Sequence, residues 1–377
     1  MFLTKEEEKL LESPNEGIRK CMEILVAVGE IFGAEKLIEI KSAQISGVSY
    51  SNIGEAGLEW LESLDVKVSV DAFLNPAGFD LERWREMGIE ESYREKQLRI
   101  IKAFERMGVK LTLTCTPYYL VEVKKDDHLA WAESSAVVYA NSIIGARTNR
   151  ESGITALAAA VIGKTPYYGL HVKENRAPTV LVKIKGENFA LAGLELGRVL
   201  KEGEIPLVEF SRKPSEEELK LFGAALASTS SCSMFHAAKL TPEWRDFETP
   251  KEKIEIDEAE FEKCSPDLIA IGCPHVSKQE LEKIYELLKK YGKAKRNLWI
   301  FTSREIKEQC SDLVRKIEEL GGKVFSDTCM VVSPASEKFS CVMVNSGKAL
   351  EYLPKLRKVN ATFASLEDCV RWATLED

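Results

Sequence analysis

Residues 267–327 read DLIAIGCPHVSKQELEKIYELLKKYGKAKRNLWIFTSREIKEQCSDLVRKIEELGGKVFSD, three apolar runs alternating with two amphipathic helical patterns. DLIAIG (267–272) is a short buried-strand pattern. In the run after it Leu281, Ile284, Leu287 and Leu288 share one helical face, and Gly292 supplies the stop. NLWIFTS (297–303) is a second strand; the following helix places Ile306, Leu313, Ile317 and Leu320 on one face, ends at Gly321-Gly322, and leads into KVFSD (323–327). The pattern is a βαβαβ unit, which predicts a layered α/β domain. SCVMVNS (340–346) and ATFAS (361–365), each with a short helical pattern behind it, carry the same domain close to the C-terminus.

Upstream the regularity fades. Strands are predicted at EKLIEIK (35–41), VKVSVD (66–71) and VKLTLT (109–114), and helices over 15–32, 55–64 and 92–107. KSAQISGVSYSNIG (41–54) and DAFLNPAGFD (71–80) read as polar loops longer than a compact connection needs, and such loops are more often functional than decorative. The charged, proline-bearing stretch KEGEIPLVEFSRKPSEEE (201–218) marks the expected seam, giving an N-terminal α/β region over 1–205 and a C-terminal α/β/α domain over 206–377.

Composition narrows the function classes. The 377 residues suit two α/β domains, with 45% hydrophobic and 30% charged residues and no apolar run long enough to span a bilayer. No membrane partner is expected, and an acidic helical start without a basic or apolar leader points to the cytoplasm. A net charge of −8 without dense Lys/Arg blocks argues against nucleic acid. Nine cysteines without CxxC spacing do not form the framework of a disulfide-stapled secreted domain, so thiolates remain available for metal. Only four Gln stand against many Glu and Lys, a bias of proteins that work hot.

Context sorts the cysteines. Cys21, Cys310 and Cys369 fall in amphipathic helical patterns and Cys341 in a strand, where a small apolar side chain suffices; Cys232 and Cys264 sit in ambiguous loop or helix-edge positions. Cys115, Cys273 and Cys329 each stand just past a strand, at the carboxyl edge where α/β sheets bind ligands. Three converging thiols suit a soft metal or a cluster. Three buried small residues at strand ends are the plain alternative. A structural zinc site is the other, although zinc ligands usually come in close pairs and none of these cysteines has one.

Two polar runs could hold an anion. In GARTNR, Arg147, Thr148, Asn149 and Arg150 follow Gly145 among small apolar neighbours; guanidinium groups bind carboxylate or phosphate bidentately, which favours an anion site over a solvated loop. YYGLHVKENR (167–176) brings His171, Glu174, Asn175 and Arg176 together, for function or for structural hydrogen bonding alike. Glu133, Ser134 and Ser135 open a helical stretch and serve as helix-start chemistry. Ser46, Gly47 and Val48 are small enough for backbone amides to approach a ligand. His236 and His275 read as ordinary hydrogen-bonding residues, with His275 beside Cys273 in GCPH.

Taken together, SAQISGVSY, NPAG, TCTPY, HLAWAESSAVVYANSIIGARTNRESG, YYGLHVKENR, GCPH and SDTC resemble the catalytic region of the aconitase X family across most of the chain. The resemblance implies an aconitase-like large subunit of layered α/β/α domains with an iron–sulfur cluster at the domain junction, ligated by Cys115, Cys273 and Cys329. The expected cluster is [4Fe-4S], with [2Fe-2S] as the alternative; all three ligands are dispersed, whereas ordinary aconitases hold two of theirs in a CxxC pair. It implies a substrate-binding set of Ser46, Gly47, Val48, Asn75, Pro76, Glu133, Ser134, Ser135, Arg147, Thr148, Asn149, Arg150 and Arg176. It further implies dehydration of a small anionic substrate, with the serine base carried by a separate small swivel-domain subunit in a heterodimer. Mevalonate 5-phosphate in the archaeal isoprenoid route is the expected substrate, and cis-3-hydroxy-L-proline the alternative. A redox- or metal-sensing binding protein using the same cysteines without turnover is the reading outside enzymology.

Overall fold

A computed structural model describes residues 1–376. Its C-terminal sheet is parallel throughout, in the order Gly322–Phe325, Leu298–Phe301, Leu268–Ile271, Cys341–Val344, Asn360–Phe363. Both faces are covered. Ile269, Ile271, Ile300, Val324 and Met343 pack on the helices Lys278–Tyr291, Ser311–Glu319 and Leu366–Thr374. Their alternating neighbours Leu268, Ala270, Trp299, Phe301, Phe325, Val342 and Val344 form the opposite core. That core is shared: Phe79, Trp84, Met87 and Ile89 come from the loop after residue 75, and Leu191, Leu194 and Ala225 from the middle of the chain. Each such side chain, when fully buried, contributes about 1.5–3 kcal/mol, so this face joins the parts of the molecule as well as covering a sheet.

The middle sheet, also parallel, runs His236–Ala237, Pro206–Glu209, Val180–Ile184, Lys253–Ile256, with helices Phe189–Val199 and Glu216–Thr229 against it. The charged stretch at 201–218 contains the largely buried strand Pro206–Glu209 of this sheet, and a division at 205/206 passes between two paired strands. The N-terminal sheet is short, Asp71–Leu74, Ser42–Ile45, Leu129–Trp131, and is accompanied by an antiparallel ribbon of Leu37–Glu39 with Lys164–Pro166. Helices Glu16–Ile31, Tyr50–Ser63, Glu91–Arg106 and the alanine-rich Gly153–Ile162 enclose it.

Two strands here lie where the sequence reads as loop. Ser42–Ile45 is buried at every position, and its polar members are satisfied internally: Gln44 donates to Thr114 O, and Ser42 accepts from the Trp131 indole. Conversely, VKVSVD alternates like a strand, yet Val68 N–H and Ser69 N–H bond to Met107 O and Ala160 O, so that segment ties helix ends together and pairing begins only at Asp71. VKLTLT contributes a single bridge, Lys110 beside Phe73. The predicted helix after Ser303 breaks at Cys310 into Arg304–Gln309 and Ser311–Glu319. Cys264 and Cys341, read from sequence as an ambiguous loop residue and a core residue, form a disulfide with Cα atoms 6.1 Å apart, because the segment leading into Leu268–Ile271 lies against the start of Cys341–Val344. Among the described residues no helix is long and apolar enough to cross a membrane.

Candidate active site

Cys115, Cys273 and Cys329 line one cavity of about 270 Å³. Cys273 and Cys329 follow strand ends as expected; Cys115 does not, because VKLTLT forms no strand, and it is brought instead to the end of a neighbouring one. Cys115 follows Thr114, whose N–H bonds to Leu74 O at the end of Asp71–Leu74. Cys273 follows Leu268–Ile271 through Gly272, at φ +115°, where a Cβ would lie 2.3 Å from Phe301 O; only glycine lets the chain turn this close to the neighbouring strand. Cys329 follows Gly322–Phe325 through Asp327, anchored by Arg304 and by the N–H of Leu81.

All three thiols are buried, and their environments differ. Burial, with the Glu133 charge nearby, pushes Cys115 up to about 12. Cys273 donates to Cys329, which raises Cys273 and, with the backbone N–H groups of Val332 and Val331, holds Cys329 toward thiolate. The remaining cysteines are elsewhere: Cys264 and Cys341 are bridged to each other, and Cys21, Cys232, Cys310 and Cys369 are buried in separate parts of the cores. Among the described residues, no three or more His, Cys, Asp or Glu side chains close tightly enough to hold one metal ion. Three soft sulfurs around one cavity, with the Glu133 carboxylate beside them already taken up by Lys348, Asn75 and Ser135, fit a multi-atom iron–sulfur group better than a single zinc.

Beside the sulfurs stands a charged network. Glu133 accepts from Lys348 Nζ, from Asn75 Nδ2 at 2.7 Å, and from the Ser135 hydroxyl and N–H at 3.1 and 3.3 Å. Burial works against its charge, but Lys348 together with these donors holds its pKa at about 2. Burial opposes the Lys348 charge as well, and the charge of Glu133, then of Cys273, raises it above the ordinary lysine value. Lys348 Nζ donates to Glu133 and, in longer bonds of 3.4 Å each, to the Ser134 and Ser135 hydroxyls, which holds the ammonium at the cavity wall. Asn75 is left with a buried Oδ1 that has no partner.

The other wall is the loop Ser46–Ser49. Its shape comes from Gln97, fully buried on Glu91–Arg106: its amide donates to Val48 O and accepts from the N–H groups of Tyr50 and Gly78, clamping both cavity loops to one helix. The sequence showed no sign of that clamp. Lys348 was also missed, although it stands past a strand's carboxyl end at a helix start, where the helix dipole disfavours a cation and its presence calls for another explanation.

Ser46, Gly47, Val48, Asn75, Pro76, Glu133, Ser134 and Arg150 therefore line the cavity with the cysteines, and Ser135 sits directly behind through Glu133 and Lys348. Arg147, Thr148, Asn149 and Arg176 do not reach it. Residues 147–149 run extended beside Leu129–Trp131, so successive side chains point to opposite faces. Arg147 and Asn149 share the outer face, where Arg147 pairs with Asp126 at 2.7 Å and Asn149 bonds to Tyr168 O and Leu170 N. Thr148 bonds to Trp131 N–H and to Asn149 O. Arg176 is fully buried against Glu243 and Asn141.

Arg147 lines a second cavity of about 430 Å³ with His128, Tyr167 and His171. Arg147→Ala is expected to lower the melting temperature through loss of this ion pair, about 1 kcal/mol, with substrate KM shifted less than about twofold. A KM rise without a stability loss contradicts this placement. His128 Nδ1 and His171 Nδ1 are 2.9 Å apart, so one donates and the other accepts. Burial, with His128 and the arginines adding to it, lowers His171 from 6.5 to about 3. The unfolded chain takes up a proton between those values that the folded chain refuses, so stability is complete above 6.5 and declines toward 3. The slope reaches about 1.4 kcal/mol per pH unit, and His171→Gln should flatten it in pH-dependent melting curves.

Stacked parallel α/β layers that gather three thiols from separate loops at the carboxyl edges of their sheets around one polar cavity define an aconitase-type chain. Residues 1–174, 178–266 and 266–375 match the aconitase X first, second and third domains. A phosphomevalonate dehydratase large subunit from Methanosarcina mazei is 47% identical over 99% of this chain and 97% of its own length. A cis-3-hydroxy-L-proline dehydratase from Pseudomonas aeruginosa is 31% identical over 95% of this chain and 67% of its own. The holo-form crystal structure of Thermococcus kodakaraensis aconitase X matches with a TM-score of 0.92 and 40% identity, covering 99% of this chain and 100% of that one. The chain belongs to the aconitase X family.

Proposed function

We propose that this chain is the large subunit of a cytoplasmic hydro-lyase that dehydrates mevalonate 5-phosphate to anhydromevalonate 5-phosphate, in the archaeal route to isoprenoids, in a heterodimer with a small swivel-domain subunit. The observation that carries it is the meeting of three dispersed thiols with Lys348, Asn75 and the Ser46–Val48 loop in one cavity. The relatives support the substrate: the phosphomevalonate enzyme is closer in sequence than the hydroxyproline enzyme and is matched over nearly its whole length as a large subunit.

Cys115, Cys273 and Cys329 would hold a [4Fe-4S] cluster, with [2Fe-2S] as the alternative; with three protein ligands the former supplies an open iron as Lewis acid for a leaving hydroxide. The rest is the work of this chain's side chains. Removing the proton next to the substrate carboxylate builds negative charge on that carboxylate, and the Lys348 ammonium, fixed by Glu133, is placed to stabilise it. Asn75 Oδ1 accepts from the substrate hydroxyl, orienting it toward the sulfurs. The Ser46–Val48 loop and Arg150, whose guanidinium also donates to Ala227 O and Ser230 O, line the part of the cavity that would receive the anionic far end. Glu133 is a poor proton acceptor, committed to several donors at a pKa of about 2, which supports a base from the small subunit.

The test is anaerobic mixing. The cluster-loaded chain alone should release no water from mevalonate 5-phosphate, and addition of the small subunit should start turnover. Turnover by the chain alone, or none by the loaded complex, refutes the proposal.

A further inference from the structure

The three sulfurs come from loops far apart in the chain, and a single residue reaches all three loops. His275 lies two residues past Cys273, and its backbone N–H points at Cys115 Sγ, 3.3 Å away. Its fully buried ring spans the other two loops: Nε2 is 2.8 Å from the carbonyl oxygen of Thr328, the residue before Cys329, and Nδ1 is 2.9 Å from the hydroxyl of Thr114, the residue before Cys115. A carbonyl can only accept, so Nε2 carries the hydrogen and donates; Nδ1 of the neutral ring then accepts from the Thr114 hydroxyl. Thr114 Oγ1 also accepts the N–H of Thr116 at 3.2 Å, which leaves its hydrogen free for Nδ1.

We propose that His275 is the positioning residue that sets the spacing of Cys115, Cys273 and Cys329, a rigid strut behind the sulfurs that never touches substrate. Its importance to turnover rests on those cysteines being the cluster ligands. The ring and the backbone N–H tie only to a ligand cysteine or to the residue preceding one, while the carbonyl accepts from Lys220 Nζ at 3.2 Å and anchors the strut to the middle of the chain. Thr328 Oγ1 is already buried without a partner, so removal of the ring leaves a second unpaired group, the carbonyl, on the same residue. Shape matters as well. Asparagine places an acceptor where Nδ1 stands but cannot reach Thr328, whereas the imidazole holds both ends at a fixed distance. Groups that orient metal ligands in this way typically govern affinity about 10–100-fold.

Site-resolved alkylation of the iron-free full chain by iodoacetamide, anaerobic and read by mass spectrometry, tests the strut without the cluster or turnover. His275→Ala should speed modification of Cys115 and Cys329 about tenfold or more, while Cys369, buried in the C-terminal helix, reports any general loosening and stays unchanged. The two arms can be separated. His275→Asn, which keeps the Thr114 bond, should expose Cys329 alone, and Thr114→Val should expose Cys115 alone. In the loaded chain, His275→Ala should release iron to a chelator about tenfold faster than wild type. Wild-type rates at Cys115 and Cys329 in the variants, or a rise shared equally by Cys369, overturn the proposal. If His275→Ala does not fold, the two milder variants decide by the same comparison. A wild-type chain that takes up no iron and sulfide defeats the cluster reading, and the alkylation pattern still judges the strut.

Discussion

Cys115→Ser, Cys273→Ser and Cys329→Ser are each expected to lose the visible absorbance of the cluster and to cut turnover by more than about 1,000-fold, since several kcal/mol of transition-state stabilisation disappear with it at about 1.4 kcal/mol per decade. Serine is nearly isosteric with cysteine, so the folded state should survive all three changes. Cys310→Ser is the control. That thiol is buried at the junction of two helices on the face of the C-terminal sheet away from the shared core, and its loss should leave absorbance and turnover intact. Equal loss at Cys310, or full absorbance in any of the three site variants, means that the ligands are wrongly assigned.

The second large effect is at Lys348. Lys348→Met removes the only ammonium beside the sulfurs among the cavity-lining residues and leaves Glu133 charged and unpaired, which costs about 3–5 kcal/mol of stability for a buried pair broken on one side. Turnover should fall about 100- to 1,000-fold, the usual consequence of losing one fixed donor to a developing negative charge. The two effects can be told apart. Glu133→Gln added to Lys348→Met removes the orphaned charge, so the melting temperature should recover while turnover does not. Recovery of both would mean that the pair is only architectural.

The sequence made the C-terminal layers legible because their strands are buried on both faces between strongly amphipathic helices, and both signals survive in one dimension. For the same reason the positions of Cys273 and Cys329 could be read as strand ends. The N-terminal strands were harder. Ser42–Ile45 buries Ser42 and Gln44, whose partners Trp131 and Thr114 lie far along the chain, so its polarity mimicked a loop. GARTNR was misleading for a local reason: an extended segment sends alternate side chains to opposite faces, and only Arg150 of its two arginines faces the cysteines. Lys348 and Gln97 act through contacts across the fold, and no spacing announces them. The Cys264–Cys341 pairing likewise depends on where a connecting segment lies, which cysteine spacing does not give.

The central claim is the reaction and its substrate, and a competition assay tests it most directly. The loaded chain with its small subunit is given mevalonate 5-phosphate and cis-3-hydroxy-L-proline under anaerobic conditions, and kcat/KM is measured for each. A site arranged to hydrogen-bond a phosphorylated acid should favour mevalonate 5-phosphate by at least about a hundredfold. Preference for the imino acid, or an intact cluster with turnover of neither, contradicts it.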